Sequence, residues 1–225
     1  MMKKILDDET IYEKTASVIK KTIETTLLKK NIAVIGLPGG RSISMVLKFL
    51  KKYDIIWEQV HVFLVDERLV KTDDIDSNFR LIKQALSDVI PTINLHPFIF
   101  DAHKLNLSIK QYENEIKKYG GRYDIVVVSS GEDGHIASLF PNHPSIFNND
   151  EYYILVENAP KPPKQRMSIS KKFLLKSDTG VLLFIDETKK EAYKRFLDQK
   201  LSFTSCPAKL VSMLPRSFIL TNIKI

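Results

Sequence analysis

The sequence predicts an α/β fold: one domain (residues 1–225) built on a Rossmann-like, mostly parallel sheet with helices on both faces. Three observations carry this. The runs NIAVIG (31–36), VHVFLV (60–65) and DIVVVS (124–129) are short, β-branched and almost wholly apolar, as strands buried on both faces must be. Helical patterns stand between them, which is the alternation of a parallel sheet. Polar turns follow these strands directly, where such sheets bind ligands.

The elements follow in chain order. Residues 9–29 place Ile11, Thr15, Val18, Ile19, Ile23 and Leu27 at helical spacing, so an amphipathic helix precedes the first strand run. After NIAVIG comes LPGGRS, then ISMVLKFLKKY as a helix with Ser42 as its N-cap. VHVFLV leads into a polar loop, DERLVKTDDID, and Asp76 or Ser77 caps a helix running to about Ile90. Residues 108–119 form a further helix before DIVVVS. Beyond it the reading is a strand at 152–156, a proline-rich loop APKPPKQR (159–166) and MSIS as an edge strand. A strand GVLLFI (180–185), a helix 187–198 and a closing strand SFILTN (217–222) complete the chain.

Composition narrows the function classes. Hydrophobic residues make up 44% and charged residues 27%, the balance of a soluble globular protein, and no stretch of about 18 apolar residues suggests a membrane span. MMKKILDDETIYEK has a basic start but no apolar region after it, so a secretory signal is not expected and a cytoplasmic location is. A single cysteine, Cys206, excludes an internal disulfide and a cysteine-only metal site. The net charge of +7 would suit a polyanion, but the lysines are dispersed along the chain as KK pairs. No nucleic-acid partner is therefore expected, and the positive potential suits a small anionic substrate.

Three turns carry candidate chemistry. GLPGGRS (36–42) lets backbone N–H groups at Gly39 and Gly40 approach an anion, with Arg41 and Ser42 as side-chain donors. Its plain structural reading is a strand-to-helix turn, and it lacks the pattern of a P-loop or a dinucleotide fingerprint. VDERLVKTDDIDSNF (65–79) sets Asp66, Glu67 and Arg68 directly after a strand, where an arginine fork grips a phosphate or pairs with a carboxylate. Its aspartates lack the spacing of a calcium loop. SSGEDGHIASLF (129–140) places Asp133 two residues before His135 in a glycine-bracketed turn. A carboxylate there orients the imidazole and raises its basicity, making His135 a general-base candidate; the structural alternative is Asp133 capping a helix that begins near His135. His61, His96, His103 and His143 have no comparable setting and read as surface or packing residues. A fourth polar element, APKPPKQR, offers Lys161, Lys164 and Arg166 to an anion, or else to solvent.

In combination, GLPGG, DER followed by DSNF, GEDGHIASLFP and APKPPKQR resemble the 6-phosphogluconolactonase family, in order, across residues 36–166. The resemblance implies a sheet fold shared with the glucosamine-6-phosphate isomerase group. It implies hydrolysis of a sugar-phosphate lactone, 6-phospho-D-glucono-1,5-lactone, to 6-phosphogluconate in the oxidative pentose phosphate pathway. It also implies His135 as the base that activates water, with Gly39, Gly40, Arg68 and Lys161 about the substrate and its phosphate. No metal or cofactor is expected, and functional coupling to glucose-6-phosphate dehydrogenase is left open. The chain departs from the family pattern at Arg41 and Ile43, where GGSTP is usual, and at Ser129, where a glycine is usual. Two competitors stand beside this reading. A glucosamine-6-phosphate deaminase would continue DGHIA to a glutamate, but Phe140 occupies that position. A non-catalytic sugar-phosphate sensor would keep the anion-binding turns without needing His135.

Overall fold

The computed structural model describes residues 3–5 and 8–225, with side chains from Glu9 onward. Part of the N-terminal stretch read above for a leader lies outside the described residues. The elements are β1 (Lys3–Ile5), α1 (Asp8–Leu27), β2 (Ala33–Leu37), α2 (Arg41–Leu50), β3 (Val60–Leu64), β4 (Asp66–Arg68), α3 (Asn78–Leu86), β5 (Leu95–His96) and α4 (Leu105–Lys118). There follow β6 (Ile125–Ser129), α5 (Pro144–Phe147), β7 (Tyr153–Val156), β8 (Arg166–Ile169), α6 (Lys171–Leu175), β9 (Thr179–Phe184), α7 (Lys190–Leu197) and β10 (Arg216–Thr221).

Seven strands form one sheet in the order β1-β10-β9-β6-β2-β3-β5, and every pairing in it is parallel. All residues of β2, β3 and β9 are buried, so both faces of this sheet are covered. That burial explains why these strands read as continuous apolar runs. It also explains why β6 tolerates four consecutive residues, IVVV, without a polar one. The chain leaves β2 toward β3 on one side, while β6 lies on the other. The crevice between the carboxyl ends of β2 and β6 is thus a topological switch point, where open α/β sheets place ligands.

A second sheet, β4-β8-β7, is antiparallel and was not anticipated. Residues 66–68, expected within a polar loop, pair with 166–168. MSIS, expected at an edge, lies in the middle strand of this sheet. The reason is tertiary: Asp66 and Glu67 are buried and Arg166 is buried, so charge at these positions does not signal solvent exposure. Other boundaries moved as well. The cap of α2 is Gly40 rather than Ser42, with no side-chain hydrogen bond. Ser77 does cap α3, accepting from the Arg80 N–H, but the helix ends at Leu86. The helix expected from 187 is a 3-10 turn (Glu187–Lys189) followed by α7. No helix begins near His135; Ile136 and Leu139 form an isolated antiparallel bridge instead. Among the described residues no helix is long and apolar enough to cross a membrane.

Candidate active site

Three turns leave the carboxyl ends of β2, β3 and β6 and meet. The first carries Gly39 and Gly40. A methyl group at Gly39 would lie 1.8 Å from Asn78 Oδ1, so only glycine lets this turn pass against the start of α3. Asn78 in turn donates from Nδ2 to the Asp66 backbone oxygen at 2.9 Å and to its carboxylate at 3.3 Å. The other carboxylate oxygen of Asp66 accepts from Ser138 Oγ at 2.9 Å. Ser138 belongs to the histidine turn. Asp66 is therefore a buried joint between all three turns.

Arg166 closes the arrangement from β8. Its Nη1 donates to Ser138 Oγ at 3.4 Å, and its guanidinium lies 5.6 Å from the centroid of Phe140. Its remaining donors go to backbone oxygens of the proline-rich loop: Nε to Pro163 at 2.9 Å and Nη2 to Lys161 at 2.8 Å. Arg166 is buried, which pushes its pKa down, while the Asp66 carboxylate opposes that shift. Arg166, expected to offer itself to an anion, spends most of its donors within the protein and holds the loop that carries Lys161. Asp66, expected among the substrate-binding residues, accepts a hydrogen bond at each carboxylate oxygen from within the protein.

His135 packs against Phe140 with the rings tilted at 48° and their centroids 4.7 Å apart, so the same apolar ring supports Arg166 and the imidazole. Its Nδ1 lies 2.5 Å from Asp133 Oδ1, and the same oxygen accepts from the His135 N–H at 3.1 Å. Burial raises the Asp133 pKa, but the hydrogen bonds and charge of His135 outweigh it and hold the carboxyl at about 2. An ionised Asp133 takes the proton-bearing nitrogen, so Nδ1 is the donor and Nε2 keeps the lone pair. A methyl group at Gly131 would fall 2.0 Å from the imidazole, so the glycine makes room for the ring. The His135 side chain is 17% exposed, open enough for water to reach it.

The remaining expected residues are distributed around this pair. Lys161 is exposed and reaches Glu132 in the histidine turn, Nζ to Oε2 at 3.4 Å. Arg68 donates from Nη1 to the Asp76 backbone oxygen at 2.5 Å, and its Nε is buried without a partner. Gly39, Gly40, Arg41 and Ser42 line a 420 Å³ cavity together with Ser129, at the switch point. Gly40, Arg41 and Arg68 also line a 640 Å³ groove between α2 and α3. His135 lines neither; the two halves of the site are joined through Asp66, Ser138 and Phe140. Sequence reasoning missed Ser138, Phe140 and Asn78 as connecting residues. The signal was present in ASLF and DSNF, but their role depends on contacts across the fold. Glu67 has no free oxygen for a ligand: it accepts from the N–H groups of Arg68, Asn78 and Phe79 and from Ser77 Oγ. Among the described residues no three His, Cys, Asp or Glu side chains are placed to hold a metal ion.

A parallel α/β sheet with a carboxylate-oriented histidine and a basic glycine turn at its ligand-binding edge defines a class: α/β proteins equipped for proton transfer beside an anion site. Comparison with known proteins narrows this. The model of the family described as glucosamine-6-phosphate isomerases/6-phosphogluconolactonase matches residues 6–218, and the chain belongs to that family. A 6-phosphogluconolactonase of Borreliella burgdorferi is 37% identical over 202 residues, covering 87% of this chain and 86% of the relative. A crystal structure of 6-phosphogluconolactonase from Thermotoga maritima superposes with a TM-score of 0.86 at 25% identity, covering 98% of each chain. One from Shewanella baltica, at 21% identity and a TM-score of 0.87, shares the fold.

Proposed function

We propose that this protein, read as one domain over residues 1–225, is a 6-phosphogluconolactonase. It hydrolyses 6-phospho-D-glucono-1,5-lactone to 6-phospho-D-gluconate, and the observation that carries the reading is the Asp133–His135 contact of 2.5 Å on a glycine turn beside basic groups. The relatives named above support the substrate class. A lactone is an activated ester, so an imidazole working near neutral pH is a sufficient base. His135 Nε2 takes a proton from water as the water oxygen bonds to the lactone carbonyl carbon. The carbonyl electrons move to oxygen, giving a tetrahedral oxyanion that hydrogen-bond donors lining the site stabilise. As the carbonyl re-forms, the bond to the ring oxygen breaks, and the imidazolium returns its proton to that oxygen. Arg68, Lys161, Arg41, Ser42 and the N–H groups of Gly39 and Gly40 hold the phosphate and orient the sugar. Asp66 and Arg166 position these groups.

The direct assay generates the lactone in situ from glucose 6-phosphate with its dehydrogenase and follows disappearance. Acceleration over spontaneous hydrolysis is expected; its absence would refute the reading. His135→Ala is expected to lower kcat by at least about 10²-fold with an unchanged circular dichroism spectrum. Near-normal turnover in that variant would remove His135 from the mechanism while leaving the activity standing.

A further inference from the structure

The 640 Å³ groove between α2 and α3 extends beyond the residues assigned to the lactone. Arg41, Ser44 and Lys48 on α2 and its C-cap Lys51 recur at intervals of three or four and line it as one stripe. The opposite stripe of the helix, Ile43, Val46, Leu47 and Leu50, is buried in the core. Arg80 faces the groove from α3, and Arg68 from the end of β4. Five cationic side chains thus line one concavity against a single carboxylate, Asp76. Lys51 is neutralised by Asp88 at 2.5 Å. Arg41, Lys48 and Arg80 have no carboxylate partner among the described residues, whereas eleven lysines and Arg122 do. Arg68 is held at the edge of the groove by its Nη1, which donates to the Asp76 backbone oxygen, while its Nε is enclosed by the protein.

The floor is different in character. Leu81 and Ala85 line it from α3, and Ile75, 82% exposed, forms an apolar lip. From Arg41 to Lys51 the stripe is about 15 Å long at the rise of an α-helix. A monophosphorylated six-carbon sugar would occupy only one end. We propose that this groove is a second anion site that takes an elongated polyphosphate ester of the nucleoside triphosphate type. Its phosphates contact Arg41, Arg68 and Arg80, and its uncharged body lies over Leu81 and Ala85 toward Lys48. Because Arg41 and Arg68 serve both sites, such a ligand competes with the lactone.

The test is direct binding, independent of lactonase turnover. ATP in the presence of EDTA is titrated calorimetrically into the full chain at fixed ionic strength, with inorganic tripolyphosphate as the arm lacking an organic body. ATP is expected to bind below about 1 mM and more tightly than tripolyphosphate. In Lys48→Gln/Arg80→Gln the ATP affinity is expected to fall at least about tenfold, as for loss of the Arg80 charge-assisted contact together with the positive charge of Lys48 along the groove. Lys21→Gln/Lys29→Gln removes the same charge at exposed positions of α1 and just beyond it, and is expected to bind as the unaltered chain does. Should the double variant not fold, the two single variants provide the comparison. Absence of binding at 1 mM, equal weakening in the Lys21/Lys29 variant, or tripolyphosphate binding as tightly as ATP would each overturn the proposal. Loss of lactonase activity alone would bear only on the lactonase reading.

Discussion

A methyl group at residue 131 would fall inside the imidazole of His135, and this sets how finely the proposed base is placed. Gly131 also donates its N–H to the His135 backbone oxygen at 2.8 Å, so the turn closes on itself around the ring. In Gly131→Ala the imidazole must swing away, because the contact of 2.0 Å is far inside van der Waals distance. Its contacts with Asp133 and Phe140 would then be lost or strained. A displaced base costs on the order of 10²-fold, and that loss is expected in kcat, with KM changed little because the phosphate groups lie elsewhere. A Gly131→Ala enzyme with full kcat would mean that the ring position is not what the reaction depends on. At this scale the sequence was informative where residues act locally. Asp133 and His135 are two apart, and their pairing follows from the turn. The internal partners of Arg166 and Asp66, at 161–163, 138 and 78, were not legible, because they are distant in sequence and nothing local announces them.

Glu67 shows how one buried charge organises an element. Both carboxylate oxygens are occupied, Oε1 by the N–H groups of Arg68 and Asn78, Oε2 by Phe79 N–H and Ser77 Oγ. Burial raises its pKa, and these hydrogen bonds oppose the rise. The first N–H groups of α3 are thereby satisfied, fixing the helix that supplies Asn78 to the site. Glu67→Gln replaces one acceptor oxygen with a donor that faces other donors. A loss of about 2–4 kcal/mol is expected, lowering Tm by roughly 5–15 °C in a thermal melt; an unchanged Tm would show the carboxylate to be dispensable. A second element-scale device lies at the β3–β5 edge. His61 Nδ1 and His96 Nε2 are 3.1 Å apart, His96 Nδ1 is 3.3 Å from Glu115, and Phe63 stacks on His96. Burial, and then the charge of His61, lower the His96 pKa from 6.5 to about 4, with Glu115 opposing; burial lowers His61 as well. The folded protein therefore binds these protons less readily than the unfolded chain. Stability is held above about pH 6.5 and lost as pH falls through about 4. Urea midpoints taken from pH 7.5 to 4 should report a decline of roughly 1–3 kcal/mol. His96→Gln should flatten that slope. Asp133 and Glu151, lowered from 3.8 and 4.5 to about 2, lose their contributions mainly below pH 4.5, so they enter only at the acid end of the series. A pH-independent midpoint would contradict the account.

On the scale of the whole molecule, the parallel sheet was legible because strands covered on both faces must be apolar throughout, as β2, β3 and β9 are. The antiparallel sheet β4-β8-β7 was not, because two of its strands carry the buried charges Asp66, Glu67 and Arg166. Those strands set Arg68 opposite Arg166, whose side chain holds the backbone of Lys161, so the sheet hidden from the sequence is also the one that ties the DER segment to the proline-rich loop. The charge of the molecule acts on the same face. A net +7, with Arg41, Lys48, Arg68 and Arg80 gathered beside the switch point, produces a positive field where an anionic substrate must enter. Such a field accelerates encounter and is screened within about 8–10 Å at ordinary salt. Raising NaCl from about 10 mM to about 0.5 M should therefore lower kcat/KM for the lactone several-fold while kcat stays nearly constant, since the proton transfer at His135 lies inside the site. The measurement is initial rates of lactone hydrolysis across that series, with the spontaneous rate subtracted at each salt concentration. Neutralising Lys48 and Arg80 together should reduce the salt dependence. If kcat/KM is flat in salt, or if kcat falls in proportion, the basic face does not steer substrate and its charge must be explained by another ligand.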